Sequence, residues 1–218
     1  MASVVWVARF KCAEPVTPDR EAHPATQFNQ SLSTDIGHGA RSLRIVLIGL
    51  RGSGKTTLGR LLAQRLQTQF IDLDDVTVAR SGQASVSALF HSVGEPAFRV
   101  AECAALEHVL DAPSTSGAVI ALGGGTPSTP EARALLAAAR AAGTIRIILL
   151  EAPSETLGAR LALDPGDRPL LAGGSFAEEA ALLGARRLPI YRAMTDAVVS
   201  TSGDTAANLE VLARAAGE

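Results

Sequence analysis

A glycine-rich segment followed by one lysine and two threonines occupies residues 49–57, with the sequence GLRGSGKTT. It fits the pattern G-x-x-x-x-G-K-[ST], in which glycines let the backbone curl so that its N–H groups surround an anion. The helix that follows adds its positive end, the lysine reaches the outer phosphates, and the next hydroxyl binds Mg²⁺. The residues expected to hold a phosphate chain are Gly52, Ser53, Gly54, Lys55, Thr56 and Thr57.

Two carboxylates follow the second predicted strand, in the sequence FIDLDD. Asp72 and Asp74 alternate, so an extended chain would project both from one face, close to the phosphate loop. Asp72 suits the binding of Mg²⁺, and Asp74 suits the orientation of an attacking hydroxyl and acceptance of its proton. Asp75 is expected to cap the next helix. The alternative is that all three only cap or solvate the end of the strand.

An arginine and a run of three glycines could hold a small acceptor. Arg99 and Glu102 stand three residues apart on a predicted helix, so Glu102 can hold the arginine in place, although a surface ion pair would look the same. The triplet Gly123, Gly124 and Gly125 ends the third predicted strand and would let a ligand lie against the backbone. A flexible turn is the alternative for the triplet.

Two further arginine positions complete this set. Arg186 and Arg187 come near the end of a predicted helix, just before Pro189, where they could instead cap the helix. Arg168 lies in the most turn-prone segment of the chain, DPGDRPLLAGGS, where a lid would sit. Together, these groups suggest an acceptor with a carboxylate held by two arginines, a hydroxyl held by a carboxylate, and a glycine floor below its ring.

Short apolar runs alternate with helical patterns from Arg44 onward, which predicts a parallel α/β sheet with helices on both faces. Ligands bind beyond the carboxyl ends of such strands, where the residues above are found. Strands are expected at 44–49, 69–74, 117–125, 144–152 and 196–201. Helices are expected at 55–66, at 85–112 with a break at Gly94–Pro96, at 129–143 and 153–163, over most of 176–194, and at 205–217. Residues 1–42 show no sustained period and are predicted to be disordered, so that 43–218 form one domain.

The composition limits the possible partners. The chain has 218 residues, 47 % of them apolar, and a formal net charge of −2, which gives no case for binding nucleic acid or an anionic membrane. Only Lys11 and Lys55 are lysines among its 20 basic residues, so the lysine of the glycine-rich segment stands out. Cys12 and Cys103 form no disulfide or metal-site pattern. With no apolar run long enough to span a bilayer, we expect a cytoplasmic protein.

Taken together, these motifs resemble those of the shikimate kinase family, over about four fifths of the chain from Arg44 onward. The motifs occur in the family's order: GKTT, the Asp-x-Asp pair, GE..FR..E ending at Glu102, the glycine triplet, RPLL at 168–171, and R.P.Y ending at Tyr191. The resemblance implies a P-loop kinase fold with five parallel strands in the order 2-3-1-4-5 and a mobile lid. It also implies transfer of phosphate from ATP to the 3-hydroxyl of shikimate. We further expect the protein to be a monomer.

The resemblance also implies roles for particular residues. Asp74, Arg99, Arg187 and the triplet Gly123, Gly124 and Gly125 would bind shikimate. Thr56 and Asp72 would hold Mg²⁺, Arg160 would lie beside adenine, and Arg168 would close over the transferring phosphate. The residues expected to act directly in catalysis are Lys55, Asp74 and Arg168.

Two other functions compete with this prediction. The first is another small P-loop kinase acting on gluconate or a nucleoside monophosphate; nucleotide kinases have Gly-Thr where this chain has Thr56-Thr57, and gluconate kinases lack the combination of glycine triplet and RPLL. The second is a domain that senses a ligand without catalysis. Such a domain would be expected to have lost Lys55, Asp72 or Asp74, and this sequence retains all three.

Overall fold

The computed structural model describes residues 43–113, 117–164 and 174–218. The predicted disorder of residues 1–42 lies outside this range. So do the predicted lid motif RPLL at 168–171, which includes Arg168, and most of the turn-prone segment 164–175 that contains it. Among the helices of the described ranges, none combines the length and apolar character needed to cross a bilayer.

Five parallel strands form one sheet in the order β2-β3-β1-β4-β5, which confirms the predicted strand order. The strands are β1 (Arg44–Ile48), β2 (Gln69–Asp72), β3 (Ala118–Ala121), β4 (Ile145–Glu151) and β5 (Ala197–Ser200). β1 lies at the centre, where Leu47 pairs with Ala121 on one side and with Ile148 on the other. Every residue of β1 is buried, as expected of a parallel strand covered on both faces.

Helices cover both faces of the sheet and create two apolar cores. One core contains Val46, Ile48, Leu106 and Tyr191, and the other contains Leu47, Leu62 and Leu212. Leu47 and Ile48 therefore point to opposite faces, as the alternation of a strand requires. The helices are α1 (Lys55–Arg65), α2 (Leu73–Ser81), α3 (Val86–Asp111), α4 (Pro130–Ala141), α5 (Ser154–Leu163), α6 (Phe176–Met194) and α7 (Thr205–Ala216), with a short 3₁₀ turn at Thr126–Ser128.

Several helix boundaries follow from capping residues in the sequence. The side chain of Ser85 accepts a hydrogen bond at the start of α3, and Asp204 does so at the start of α7. α4 begins as predicted, with Thr129 as its N-cap and a proline in the first turn. The predicted break in α3 is also present, because Gly94 has the non-helical angles φ 75° and ψ 168°.

The end of β2 differs from the sequence prediction. The strand stops at Asp72, and α2 begins at Leu73, so Asp74 lies in the first turn of a helix and not on a strand. Asp72, rather than Asp75, is the N-cap, and its Oδ1 accepts a hydrogen bond from the backbone N–H of Asp74 at 3.1 Å. The expectation that Asp75 caps the helix was wrong. Asp72 and Asp74 alternate in the sequence whether the strand continues to Asp74 or ends at Asp72 as the N-cap of a helix, so the pattern could not show where the helix begins.

The course of α6 also corrects an expectation. The helix continues through Pro189 to Met194, so Arg186 and Arg187 lie within it and not at its end. The alternative that these arginines cap the carboxyl end of the helix is therefore wrong. Arg187 instead extends from the middle of α6 to the glycine triplet, whose Gly124 carbonyl accepts a hydrogen bond from its Nη1 at 3.1 Å.

Two helices approach each other so closely that one contact requires a glycine. α5 packs against the beginning of α6, where a Cβ atom on Gly158 would lie 2.7 Å from the backbone of Ala177. Backbone atoms cannot move away as the end of a side chain can, so the helices would have to separate.

We expect Gly158→Ala to lower the free energy of unfolding by about 1–2 kcal/mol, because overpacking outweighs the better helix propensity of alanine. Gly184→Ala in α6 is the matched control. Its Cβ would meet only side-chain carbons, at 3.4 and 3.5 Å, so the variant should gain up to about 1 kcal/mol. Urea unfolding of both variants measures the difference, and equal effects would contradict the close contact.

Candidate active site

The phosphate loop joins the central strand to the first helix. Gly52 and Gly54 have φ angles of 77° and 89°, a left-handed conformation that glycine adopts at little cost. Gly54 is the N-cap of α1. It has no side chain with which to cap the first N–H groups of that helix, so these groups can turn toward an anion.

The ammonium group of Lys55 lies across this loop. Its Nζ donates to the carbonyl of Gly49 at 2.9 Å and to that of Leu50 at 2.8 Å. Ser53 is buried beneath, 3.4 Å from the same ammonium through its Oγ. The loop therefore combines a fixed positive charge with backbone N–H groups, which is the arrangement that stabilises a phosphate chain.

A hydroxyl and a carboxylate meet beside the loop. Oγ1 of Thr56 donates to Oδ2 of Asp72 at 3.0 Å. Two oxygens bound to Mg²⁺ at right angles lie about 3 Å apart, so both atoms fit adjacent positions of one octahedral shell. Burial raises the pKa of Asp72, as does the nearby charge of Asp74. A bound cation would relieve both effects, so the donor set fits Mg²⁺.

Asp74 and Glu102 approach each other above the first glycine of the triplet. A Cβ atom on Gly123 would lie 2.6 Å from Oε1 of Glu102 and 2.8 Å from Oδ1 of Asp74. A larger residue at position 123 would therefore displace both carboxylates. This contact gives the first glycine a steric function that its sequence motif does not specify.

Arg99 is held between a buried and an exposed carboxylate. Its Nη1 donates to Oε2 of Glu102 at 2.5 Å, and its Nη2 donates to Oε1 of Glu95 at 3.1 Å. Glu102 is 1 % exposed and also accepts from Oγ1 of Thr126 at 2.8 Å. Burial raises the pKa of Glu102, while the charge of Arg99 partly offsets this effect. The pair is therefore a buried support and not the surface ion pair considered above.

The other two glycines face the arginines. A Cβ atom on Gly125 would lie 2.7 Å from the guanidinium of Arg99, so this glycine provides space for that group. The carbonyl of Gly124 accepts hydrogen bonds from Arg187 at 3.1 Å and from Tyr191 at 2.8 Å. The triplet is thus a closely packed floor with fixed partners, which argues against a flexible turn.

Arg160 lies at the opposite end of the site. It extends from α5 and donates to the carbonyl of Gly52 at 3.2 Å and to that of Thr201 at 2.5 Å. The phosphate loop is therefore tied to the end of β5, beside the first turn of α7. This place, next to the loop and away from the glycine triplet, suits the base of a nucleotide.

One cavity of about 580 Å³ joins these groups. Ser53 and Gly123 are not among its lining residues, although they support others that are. Phe90, Thr201 and Asn208 also line it, and no local motif in the sequence singles them out. Phe98 lines it too; it stands in the motif GE..FR..E, but the motif alone gave it no role. The predicted site residues along its wall are Gly52, Gly54, Lys55, Thr56, Thr57, Asp72, Asp74, Arg99, Gly124, Gly125, Arg160 and Arg187.

Comparison with known proteins identifies the family. A family model described as shikimate kinase matches residues 51–215. The shikimate kinase of Thermobifida fusca (strain YX) is 41 % identical over 160 residues, which cover 73 % of this chain and 86 % of that protein. The chain belongs to the shikimate kinase family. This result confirms the resemblance that the motifs indicated.

Solved structures of the shikimate kinase family share the fold. The enzyme from Acinetobacter baumannii, determined in complex with shikimate, matches with a TM-score of 0.68 and 28 % identity over 79 % of this chain and 92 % of that one. A gluconokinase from Sinorhizobium meliloti 1021 is more distant. Its TM-score is 0.50 at 18 % identity, over 80 % of this chain and 95 % of its own. At that identity the likeness extends to the fold alone.

The two carboxylates around Arg99 give a direct test of the buried support. Glu102→Gln should lower the free energy of unfolding by about 1–3 kcal/mol, because it removes the charge that compensates a partly buried guanidinium. Glu95→Gln is the matched control: Glu95 is 61 % exposed, and its loss should cost less than about 0.5 kcal/mol. Chemical denaturation measures both, and a cost for Glu102→Gln as small as that of the control would contradict the support.

Proposed function

We propose that this chain transfers the terminal phosphate of ATP to the 3-hydroxyl of shikimate, which yields shikimate 3-phosphate and ADP. The observation that carries the proposal is that a phosphate loop and a cluster of arginines, carboxylates and glycines line the same cavity. Membership of the shikimate kinase family supports ATP and shikimate as the two substrates.

The nucleotide would occupy the side of the cavity formed by the loop. Backbone N–H groups between Gly52 and Lys55 would bind the phosphates, with Arg160 beside the base. The Lys55 ammonium would move from its loop carbonyls to the outer phosphates as negative charge develops there. Thr56 and Asp72 would hold Mg²⁺, which would neutralise phosphate charge when bound.

Shikimate would occupy the side formed by α2, α3, α6 and the triplet. Arg99 and Arg187 carry the positive charges that suit its carboxylate, since guanidinium groups bind carboxylates with well-defined geometry. Gly124 would lie below the ring. Asp74 would orient the 3-hydroxyl toward the phosphate and accept its proton during transfer.

Closure of the site would exclude water that could otherwise accept the phosphate. The sequence assigns this function to the lid and to Arg168, which lie outside the described residues. We retain that assignment as a proposal, together with a monomeric, cytoplasmic protein whose residues 43–218 form the catalytic domain.

A parallel assay distinguishes this function from its rivals. ATP consumption by the purified protein should depend on shikimate and stay near background with gluconate or a nucleoside monophosphate. Turnover with gluconate alone would support the kinase represented by the distant fold neighbour. Binding of shikimate without turnover would support a sensor, although Lys55, Asp72 and Asp74 are all retained.

Asp74→Asn should reduce turnover of shikimate by about two to four decades, the usual effect of removing a positioned acid or base. Binding of MgATP should persist, because the loop, Thr56 and Asp72 are unchanged. Asp75→Asn is the control: it removes the same charge from an exposed neighbour and should retain wild-type turnover. Steady-state kinetics and nucleotide titration measure these effects, and normal turnover by Asp74→Asn would place the acceptor elsewhere.

Asp72→Asn should act differently from Asp74→Asn. One oxygen of Asp72 contacts Thr56 in the proposed Mg²⁺ site, and asparagine keeps an oxygen that can accept the capping hydrogen bond from the N–H of Asp74. Loss of the charge should therefore mainly raise the concentration of Mg²⁺ needed for half-maximal activity. The Michaelis constant for shikimate should change little. Magnesium titrations of both variants test this separation of roles, which fails if both variants need the same extra Mg²⁺.

A further inference from the structure

One buried side chain beside the glycine triplet has no role in the function described so far. Tyr191 is 0 % exposed, although it ends in a polar hydroxyl. This hydroxyl donates to the carbonyl of Gly124 at 2.8 Å and lies 3.1 Å from Oγ of Ser128. A buried phenol with two polar partners at the floor of a substrate site requires a more specific explanation than packing.

The direction of each hydrogen bond follows from the chemistry of the partners. A carbonyl oxygen can only accept, so the single proton of the Tyr191 hydroxyl points to Gly124. The hydroxyl of Ser128 must then donate to Tyr191. Burial raises the pKa of Tyr191, and the hydrogen bond from Ser128 partly offsets this effect. The phenol therefore keeps the proton that it donates.

Ser128 is itself held in place from two sides. Its backbone N–H donates to the carbonyl of Gly125 at 3.0 Å, and its own carbonyl accepts from Nη1 of Arg133 at 2.7 Å. The serine thus belongs to the hydrogen-bonded 3₁₀ turn that follows the triplet. The Ser128 hydroxyl donates a hydrogen bond to the Tyr191 oxygen, and this bond keeps the Tyr191 O–H group directed at the Gly124 carbonyl.

The same carbonyl connects Tyr191 to a substrate-facing arginine. Arg187 and Tyr191 stand one turn apart on α6, and both donate to the carbonyl oxygen of Gly124. These two bonds use both lone pairs of that oxygen. Arg187 lines the cavity, and a guanidinium has five N–H donors, so one bond to Gly124 leaves others for a ligand.

We propose that Tyr191 is a positioning residue for the acceptor: it fixes the Gly124 carbonyl, and through this carbonyl it sets the orientation of Arg187 toward the carboxylate of shikimate. The proposal rests on the function proposed above. Without the Tyr191 hydroxyl, only Arg187 of these two residues would donate a hydrogen bond to the Gly124 carbonyl. Both the glycine floor and the guanidinium would then sample more orientations before the substrate binds.

The test is Tyr191→Phe, which removes one oxygen and keeps the ring. The Michaelis constant for shikimate should rise roughly three- to tenfold, the effect of one neutral hydrogen bond, while that for ATP stays unchanged. Ile147→Val is the control. Ile147 lies in the same core and is 0 % exposed, so this variant also loses stability but should keep the wild-type constant for shikimate.

A double-mutant cycle tests whether Tyr191 acts through Arg187. In an Arg187→Ala background, Tyr191→Phe should change the constant for shikimate by less than about twofold, because coupled residues are not additive. The full effect in that background would overturn the proposal, as would an unchanged constant in the single variant or an equal rise in the constant for ATP. If Tyr191→Phe does not fold, Ser128→Ala replaces it as the test. The Michaelis constant for shikimate should then rise by a smaller factor, and an unchanged constant would overturn the proposal. A wild-type protein that does not phosphorylate shikimate would refute the proposed function itself, and this inference with it.

Discussion

The burial of β1 at the centre of the sheet is the constraint on which the cavity depends. With strands paired on both sides and helices on both faces, this strand cannot shift without disturbing both apolar cores. Its carboxyl end fixes the phosphate loop, and the parallel strands β2 and β3 end beside it. Asp72 and the glycine triplet therefore reach the loop by topology alone, because parallel strands end at one edge.

Charged side chains lie close together above this edge because the three glycines have no side chains. Gly123 allows Asp74 and Glu102 to approach, and Gly125 allows Arg99 to lie against the backbone. Such a cluster is stable only when each charge is compensated, since unpaired charges are costly to bury. Glu102 compensates Arg99 from below, which leaves the arginine on the cavity wall available to a second anion.

Local patterns predicted much of this structure, and contacts distant in sequence account for what they missed. The loop, α1 and the cap of α4 depend on neighbouring residues, so glycine spacing and Thr129-Pro130 were sufficient to identify them. The cap at Asp72 was missed because alternation cannot show where a strand yields to a helix. Pro189 suggested that Arg186 and Arg187 lie near a helix end, but α6 continues through it, and Leu188, Ile190 and Met194 pack against the apolar core. Tyr191 meets Gly124 across 67 positions, and no local signal reports such a contact.

The order of the strands also separates the two substrates along the chain. The groups proposed for the acceptor lie almost entirely between β2 and the 3₁₀ turn after β3, and Arg187 is the exception that comes from α6. The groups proposed for the nucleotide and its Mg²⁺ come from the loop after β1 and the start of α1, from Asp72 at the end of β2, and from α5. Recombination of one contiguous segment could therefore change the sugar or acid that is phosphorylated while the nucleotide machinery is inherited intact.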